Sequence, residues 1–308
     1  MECIDRSLEE LIQAAAQEET TISSLVLDQQ AAQMECAPQQ LWEEMARRYA
    51  VMAESVRQGS QPGVRCTSGL TGGDGYRLAQ HARGATLCGG LLPGALARAV
   101  AVAEWNGAMG RVVAAPTAGS CGILPAALLT MEEERGIPRE RCILALFTAA
   151  AVGLVIARNA SLAGAEGGCQ AECGSASVMA AAALVELAGG TPQMVGHGVA
   201  IALKNMLGLV CDPVAGLVEI PCIKRNAAGT ANAFAAAEMA LAGVESAIPA
   251  DEVIAAMKRV GDAMPASLRE TAEGGLAATP TGKRLFQQVF GADHSPQGAY
   301  TGCGACRQ

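Results

Sequence analysis

The sequence predicts an all-α protein whose catalytic domain is an alanine- and glycine-rich helical fold. Three observations lead there. From Leu87 onward, alanine-rich segments of helical length alternate with glycine breaks at Gly110, Gly119 to Gly122, Gly164 to Gly168, Gly189-Gly190 and Gly208. Period-two strand patterns are scarce, and helix start and stop signals recur along the chain.

The elements follow in order. Ser7-Leu8-Glu9-Glu10 fits a capping box, with Ser7 accepting from a free amide and Glu10 reaching back, so a first helix begins there. Pro38 precedes Gln39 to Arg57, where Leu41, Met45, Tyr49, Met52 and Val56 recur at three- and four-residue steps until Gly59 stops an amphipathic helix. Residues 59 to 75, rich in glycine, serine, threonine and proline, read as a loop. The longest apolar run, Ile143 to Ala157, falls short of the roughly 20 residues that span a bilayer and reads as a buried core helix. Pro249-Ala250-Asp251-Glu252 opens a helix that runs to about Ala263 and is closed by Pro265. The expected organisation is an N-terminal helical segment over 1–58, an all-helical catalytic domain over 59–290 and a mobile tail over 291–308.

Composition narrows the function classes. The 308 residues are long enough to bury a sizeable core, and hydrophobic residues reach 51% with aromatics at only 3%, so small aliphatic side chains dominate the helix contacts. With a net charge of -8 and no cluster of lysine and arginine, nucleic acid is excluded as the expected partner. No basic start followed by an apolar run marks the N-terminus, which gives the expectation of a cytoplasmic protein with no membrane partner. Twelve cysteines without an export signal point to metal ligation, catalysis or burial rather than to disulfides.

Cys169 follows Gly167-Gly168, where the backbone can approach closely and acids stand nearby, while Cys211 precedes Asp212-Pro213 and Cys222 follows Pro221. Three thiolates from separate loops can hold one cluster, and three rather than four leave one iron open as a Lewis acid. Zinc ranks lower because the spacings between the three are long. Cys173, four residues after Cys169, shares its face on a helix, so spacing leaves it open as the ligand. Cys3, Cys36, Cys66, Cys88 and Cys142 read as small core or surface residues; Cys121 sits in a loop whose amides and hydroxyls can face a substrate. Cys303 and Cys306 have redox-pair spacing without the strand-helix context of a redox motif.

Several runs are specific enough to carry a resemblance: Ser68-Gly69-Leu70-Thr71-Gly72-Gly73-Asp74-Gly75, Ala114-Ala115-Pro116-Thr117-Ala118-Gly119, Ala165-Glu166-Gly167-Gly168-Cys169-Gln170, Gly208 to Gly216, Pro221-Cys222-Ile223-Lys224-Arg225-Asn226 and Arg269-Glu270-Thr271-Ala272. Over roughly residues 60 to 282 the sequence resembles the iron-sulfur-dependent L-serine dehydratases, specifically their alpha chain. The resemblance implies an all-helical domain around a 4Fe-4S cluster, with Cys169, Cys211 and Cys222 as ligands and Cys173 outside the set. Single-chain relatives cap the open iron with a C-terminal cysteine, a role open here to Cys303 or Cys306. They also carry a domain with a Ser-Ser-His-Thr motif; this chain has no such motif and its histidines are His81, His197 and His294, so a separate beta chain is implied and the catalytic base, within this chain or on a partner chain, is left open; the expected assembly is a homo- or hetero-oligomer.

The expected reaction is deamination of L-serine to pyruvate and ammonia by dehydration. Both steps need help, since the Cα proton is weakly acidic and hydroxide leaves poorly. The expected substrate-anchoring residues are Ser68, Gly69, Thr71, Gly72 and Gly73 in one loop, Thr117 and Ser120 in another, and Lys224, Arg225 and Asn226 after Cys222. The bland readings are a tight turn, a helix cap and a solvated charge pair. A pyridoxal phosphate enzyme is disfavoured because none of Lys204, Lys224, Lys258 and Lys283 sits in a cofactor loop. The remaining rivals are a cysteine desulfidase of similar architecture and a non-catalytic cluster-carrying subunit.

Overall fold

A computed structural model describes residues 7–291, which leaves Cys3, His294, Cys303 and Cys306, and with them the expected capping role and the tail, outside the described residues. Among the described residues the chain forms thirteen α-helices and no strand, the nearest approach to a sheet being an isolated bridge between Cys211 and Arg269.

The first helix, α1 (Leu8–Gln17), starts as the sequence predicts but is capped differently. Ser7 Oγ accepts from the Glu10 amide at 3.4 Å. The second half of the box is supplied from far away, because the Asp251 carboxylate accepts from the amides of Leu8 and Glu9 at 2.9 and 3.0 Å and from the Ser7 hydroxyl at 3.0 Å. A carboxylate at a helix N-terminus also meets the positive end of the helix dipole. Asp251 lies in the first turn of α12 (Ala250–Ala263), so one side chain joins the two ends of the described chain.

Helices α2 (Ile22–Gln33) and α3 (Pro38–Gly59) complete the N-terminal layer, and α3 has proline at its first position as expected. Then come α4 (Asp74–His81), α5 (Leu91–Gly107), α6 (Ile123–Arg135) and α7 (Arg139–Asn159). The last of these is long and apolar enough to cross a membrane by length and composition, yet 67% of its apolar window is buried against other helices. After the short α8 (Gly164–Gly167) comes α9 (Ser175–Leu187), every residue of which is buried. A helix without a polar face has no stable place except the centre of a bundle, and α9 is surrounded by α6, α7, α10 (Pro192–Lys204) and α11 (Cys222–Leu241). The final helix is α13 (Pro280–Phe290). Side chains from α1, α2 and α3 share one hydrophobic cluster with those of α5 to α7 and α9 to α12.

Small residues set the helix spacing. A methyl group built on Gly59, at the end of α3, would lie 2.0 Å from the Ala101 carbonyl oxygen on α5, and one on Gly122 would lie 2.2 Å from that of Ala99. Backbone meets backbone at both points, and a Cβ cannot fit unless a helix shifts. We therefore expect Gly59→Ala to lower stability by ~1–3 kcal/mol in urea unfolding, although alanine is the better helix former by about 1 kcal/mol. An unchanged or raised midpoint would mean that α3 can slide on α5.

Candidate active site

Three segments converge at the N-terminal end of α11. The first carries Cys169. Gly168 has φ 74°, and a Cβ there would strike the Met264 sulfur and the Leu209 carbonyl oxygen at 2.7 and 2.9 Å, so only glycine lets the chain turn in. Residues Gln170–Gly174 then form a single π turn leading into α9, a feature that is rare in general and frequent at functional sites. Gln170 is fully buried and ties this segment down: its amide nitrogen donates to Leu209 O at 2.9 Å, its side-chain oxygen accepts from Gly208 N at 3.0 Å, and its Nε2 donates to Met257 O at 2.9 Å.

The second segment carries Cys211, whose amide donates to Leu268 O and whose carbonyl accepts from Glu270 N, both at 2.8 Å. That bridge fastens the 265–279 stretch beside the cysteine. Glu270 and Ala272 hold φ values of 64° and 55°, conformations that non-glycine residues rarely adopt. The third segment is Pro221-Cys222, at which α11 begins.

The first turn of α11 binds the other two together. Arg225 donates to Val210 O at 2.7 Å and to Asp212 Oδ1 at 2.8 Å, and its guanidinium stands near the Cys169 sulfur. Asp212 also accepts from Leu276 N at 2.8 Å, extending the tie to the 265–279 stretch. Asn226, fully buried, accepts from Gly122 N at 2.8 Å and donates to Gly119 O at 2.8 Å and to its own helix at Cys222 O. Cys169, Cys211 and Cys222 are thereby buried together as free thiols in mutual electrostatic contact.

The environment differs between the sulfurs. A hydrogen bond from Cys173 and the nearby Arg225 guanidinium hold the Cys169 thiol below its ordinary range, and the same bond with burial pushes Cys173 upward. Burial raises Cys222 to about 12 and Cys211 further still. Cys121, also raised by burial to about 12, has no exposed surface and packs in the main hydrophobic cluster.

The anchoring residues expected from the sequence are placed at this end of the molecule, with their polar atoms already committed. Ser68 and Thr71 both donate to Glu219 Oε2, at 2.8 and 2.6 Å. Gly69, Gly72 and Gly73 have φ values of 75°, 135° and 84°, and a Cβ on Gly72 would lie 2.6 Å from Val64 O. The amides of Asp74 and Gly75, just beyond, donate to the fully buried Glu104 carboxylate. Thr117 donates to Glu172 Oε1 at 2.9 Å and lies 3.2 Å from the Ser120 hydroxyl. Lys224 pairs with Asp74 at the surface, and Arg225 and Asn226 act on the chain itself as described.

Sequence reasoning singled out neither Glu172 nor Glu219. Glu172 stands between the sulfurs: the Cys211 thiol donates to its Oε2 at 3.8 Å, and burial, with the Glu270 carboxylate adding to it, raises its pKa above the usual carboxylate range. The available signal was an acid inside an otherwise small and apolar stretch, which holds for both residues.

Among the described residues no three cysteine, histidine or acid side chains are grouped to hold a single metal ion. A single-ion site draws its sulfurs to about 2.3 Å from one metal, whereas each ligand of a multinuclear cluster binds its own iron and stands further from the others. Three buried free thiols from three segments, beside one arginine, are the soft donors that an iron-sulfur centre takes.

A family profile described as "Serine dehydratase alpha chain" matches residues 17–277, well over half the chain. The chain belongs to that family. The match begins upstream of the motif-bearing loops and takes in α2 and α3. Over 287 residues the chain is 51% identical to a "Probable L-serine dehydratase, alpha chain" of Bacillus subtilis (strain 168), covering 93% of this chain and 95% of that one. It is 52% identical over 202 residues to an "L-serine dehydratase, alpha chain" of Peptoniphilus asaccharolyticus, covering 66% and 69%. An L-serine dehydratase of Escherichia coli (strain K12) is 49% identical over 181 residues, which cover 58% of this chain and 40% of that longer protein.

Within this family member Asn226 is the joint between the Gly119–Gly122 loop and the helix that carries Cys222. Asn226→Ala strands one buried donor and two acceptors, and the expected loss is ~2–4 kcal/mol in denaturant unfolding. Asn226→Asp, which keeps the acceptor but sets a negative charge against two carbonyls, should do no better; full stability of either variant would show that the joint is dispensable.

Proposed function

We propose that this chain is the catalytic subunit of an L-serine dehydratase, converting L-serine to pyruvate and ammonia, and that Cys169, Cys211 and Cys222 hold a 4Fe-4S cluster. The observation that carries the reading is the meeting of three buried free thiols from remote segments beneath Arg225, in a chain whose relatives bear the name L-serine dehydratase. When bound, such a cluster supplies an open iron with Lewis-acid character toward a substrate oxygen.

The chain's own residues supply the rest. Arg225 balances the negative charge that three thiolates bring into a buried place, and it holds the Cys169 and Cys211 segments at one spacing. Glu172, fixed by Thr117 at one oxygen, is the group this chain offers to take the Cα proton. Its raised pKa brings it nearer to neutrality, where a general base acts best. Loss of the proton and of the β-hydroxyl as water leaves aminoacrylate, which hydrolyses to pyruvate and ammonia. A separate beta chain completes the enzyme, in keeping with the family's description as an alpha chain and with the greater length of the Escherichia coli relative.

Anaerobic reconstitution with iron and sulfide, with and without a beta chain, tests the reading. The expected product is a brown protein with about four iron and four sulfide per chain that turns over serine in preference to cysteine. Cys169→Ala, Cys211→Ala and Cys222→Ala should each lose iron and activity, whereas Cys142→Ala, in the core beside Leu128, should keep both. Glu172→Gln should keep its iron and lose kcat by about 100-fold or more. A colourless chain active on serine, or a brown one faster on cysteine, would overturn the assignment.

A further inference from the structure

Among the described residues the four acids buried almost completely are Glu104, Glu186, Asp212 and Glu219, and all but the last are matched by a cation or by backbone amides. Glu104 takes the two amides that open α4. Asp212 takes Arg225 and the Leu276 amide. Glu186 takes the Ser23 amide and the Thr148 hydroxyl. Glu219, only 4% exposed, has neither a cation nor an amide on its carboxylate, and its two hydroxyl donors, Ser68 and Thr71, both point at Oε2. A carboxylate taken out of water without a counter-charge is costly unless something positive arrives to complete it.

Its position says what that something is. Glu219 precedes Cys222 by three residues, and its carboxylate is held by the Ser68–Gly73 loop, so it lies between one ligand segment and a loop of glycines. The neighbouring Val218 reaches Gly119: a Cβ on that glycine would lie 3.4 Å from Val218 Cγ1 and 3.3 Å from Glu172 Oε1. Glu172 and Val218 thus close on Gly119 from two sides, which sets the Val218-Glu219 turn beside the proposed base. L-Serine brings a carboxylate, a hydroxyl and one cation, the α-ammonium.

We propose that Glu219 is the residue that binds the substrate's α-ammonium, with Ser68 and Thr71 orienting its carboxylate and leaving Oε1 for the ligand. The inference rests on the serine dehydratase reading and adds to it the residue that selects amino acids over hydroxy acids. The two serine-loop hydroxyls then serve the substrate at one remove, as positioning residues.

The test uses reconstituted holoenzyme and two non-reacting probes that differ in the group at issue. L-Alanine carries the ammonium and the carboxylate; 3-hydroxypropionate carries the hydroxyl and the carboxylate and has no ammonium. Glu219→Gln should retain iron, raise KM for L-serine by roughly 10- to 100-fold, the scale of one charge-assisted hydrogen bond, and weaken inhibition by L-alanine by the same factor. Inhibition by 3-hydroxypropionate should stay within about twofold of the wild type, a margin well inside one such bond. An unchanged KM, or equal weakening of both inhibitors, overturns the proposal, since a residue that only shapes the loop would affect both probes alike. If Glu219→Gln fails to hold iron, the same two-inhibitor comparison on Glu219→Asp decides, with selective loss of L-alanine supporting the assignment and parallel loss overturning it. Failure of the wild-type holoenzyme to turn over serine would instead strike at the dehydratase reading, which separates the two.

Discussion

The site depends on a single helical turn. Cys222, Arg225 and Asn226 occupy the start of α11, and from that turn Arg225 grips the Val210–Asp212 strand of chain and stands near the Cys169 sulfur while Asn226 grips the Gly119–Gly122 loop. The Cys169 segment and the Gly119–Gly122 loop lie more than fifty residues from this turn in sequence and have no local reason to meet it, and loop closure of that length opposes the meeting. Fixing them to one rigid element lets a single packing event, α11 against α5 and α9, set all the distances at once. Long-range order in the site is therefore inherited from the bundle.

The same arrangement creates an electrostatic problem and answers only part of it. Glu172 stands with the Glu270 carboxylate close to the buried thiols, and burial with like charge nearby disfavours the ionised forms of Glu172 and Cys211. Arg225 is the one arginine aimed into this group, and its charge is shared between Asp212 and Cys169. In the proposed enzyme the remaining negative charge is matched by what the site receives: a polycationic metal core at the thiols and an ammonium at Glu219. A site in this condition is assembled for its ligands, which agrees with the general observation that such centres violate local rules elsewhere obeyed.

How far this was legible from the sequence depends on the range of the interaction. The all-α class, the start of α1 at Ser7, proline at the first position of α3 and the end of α12 before Pro265 rest on local chemistry, and the helices form there. Asp251 as the cap of α1 could not be read, because the partner lies across the whole fold and Glu10 offered a local alternative. The glycine loops were visible, but what their neighbours do was not. Ser68 and Thr71 look like substrate donors until Glu219 is found beneath them, and Asn226 looks like a ligand-facing amide until its three backbone partners are seen. A polar side chain advertises its capacity to bond in sequence; only the fold says whether that capacity is already filled.

The pair Cys169 and Cys173 shows the same limit at its sharpest, since a four-residue spacing gives two sulfurs on one face of an α-helix and no basis for choosing between them. The chain between them is a π turn, which inserts one residue per turn and breaks the equivalence that α-helical spacing would impose. Both are almost wholly buried; Cys169 precedes the turn beside Arg225, and Cys173 lies within it and hydrogen-bonds the Cys169 sulfur. The role this gives Cys173 is that of a donor. It acts on the cysteine next to it, and hydrogen bonds to a ligating sulfur are among the means by which a protein sets the charge and potential of a cluster. In the proposed assignment, the local departure from α-helical geometry is what separates the two similar cysteines into one ligand, Cys169, and one donor, Cys173.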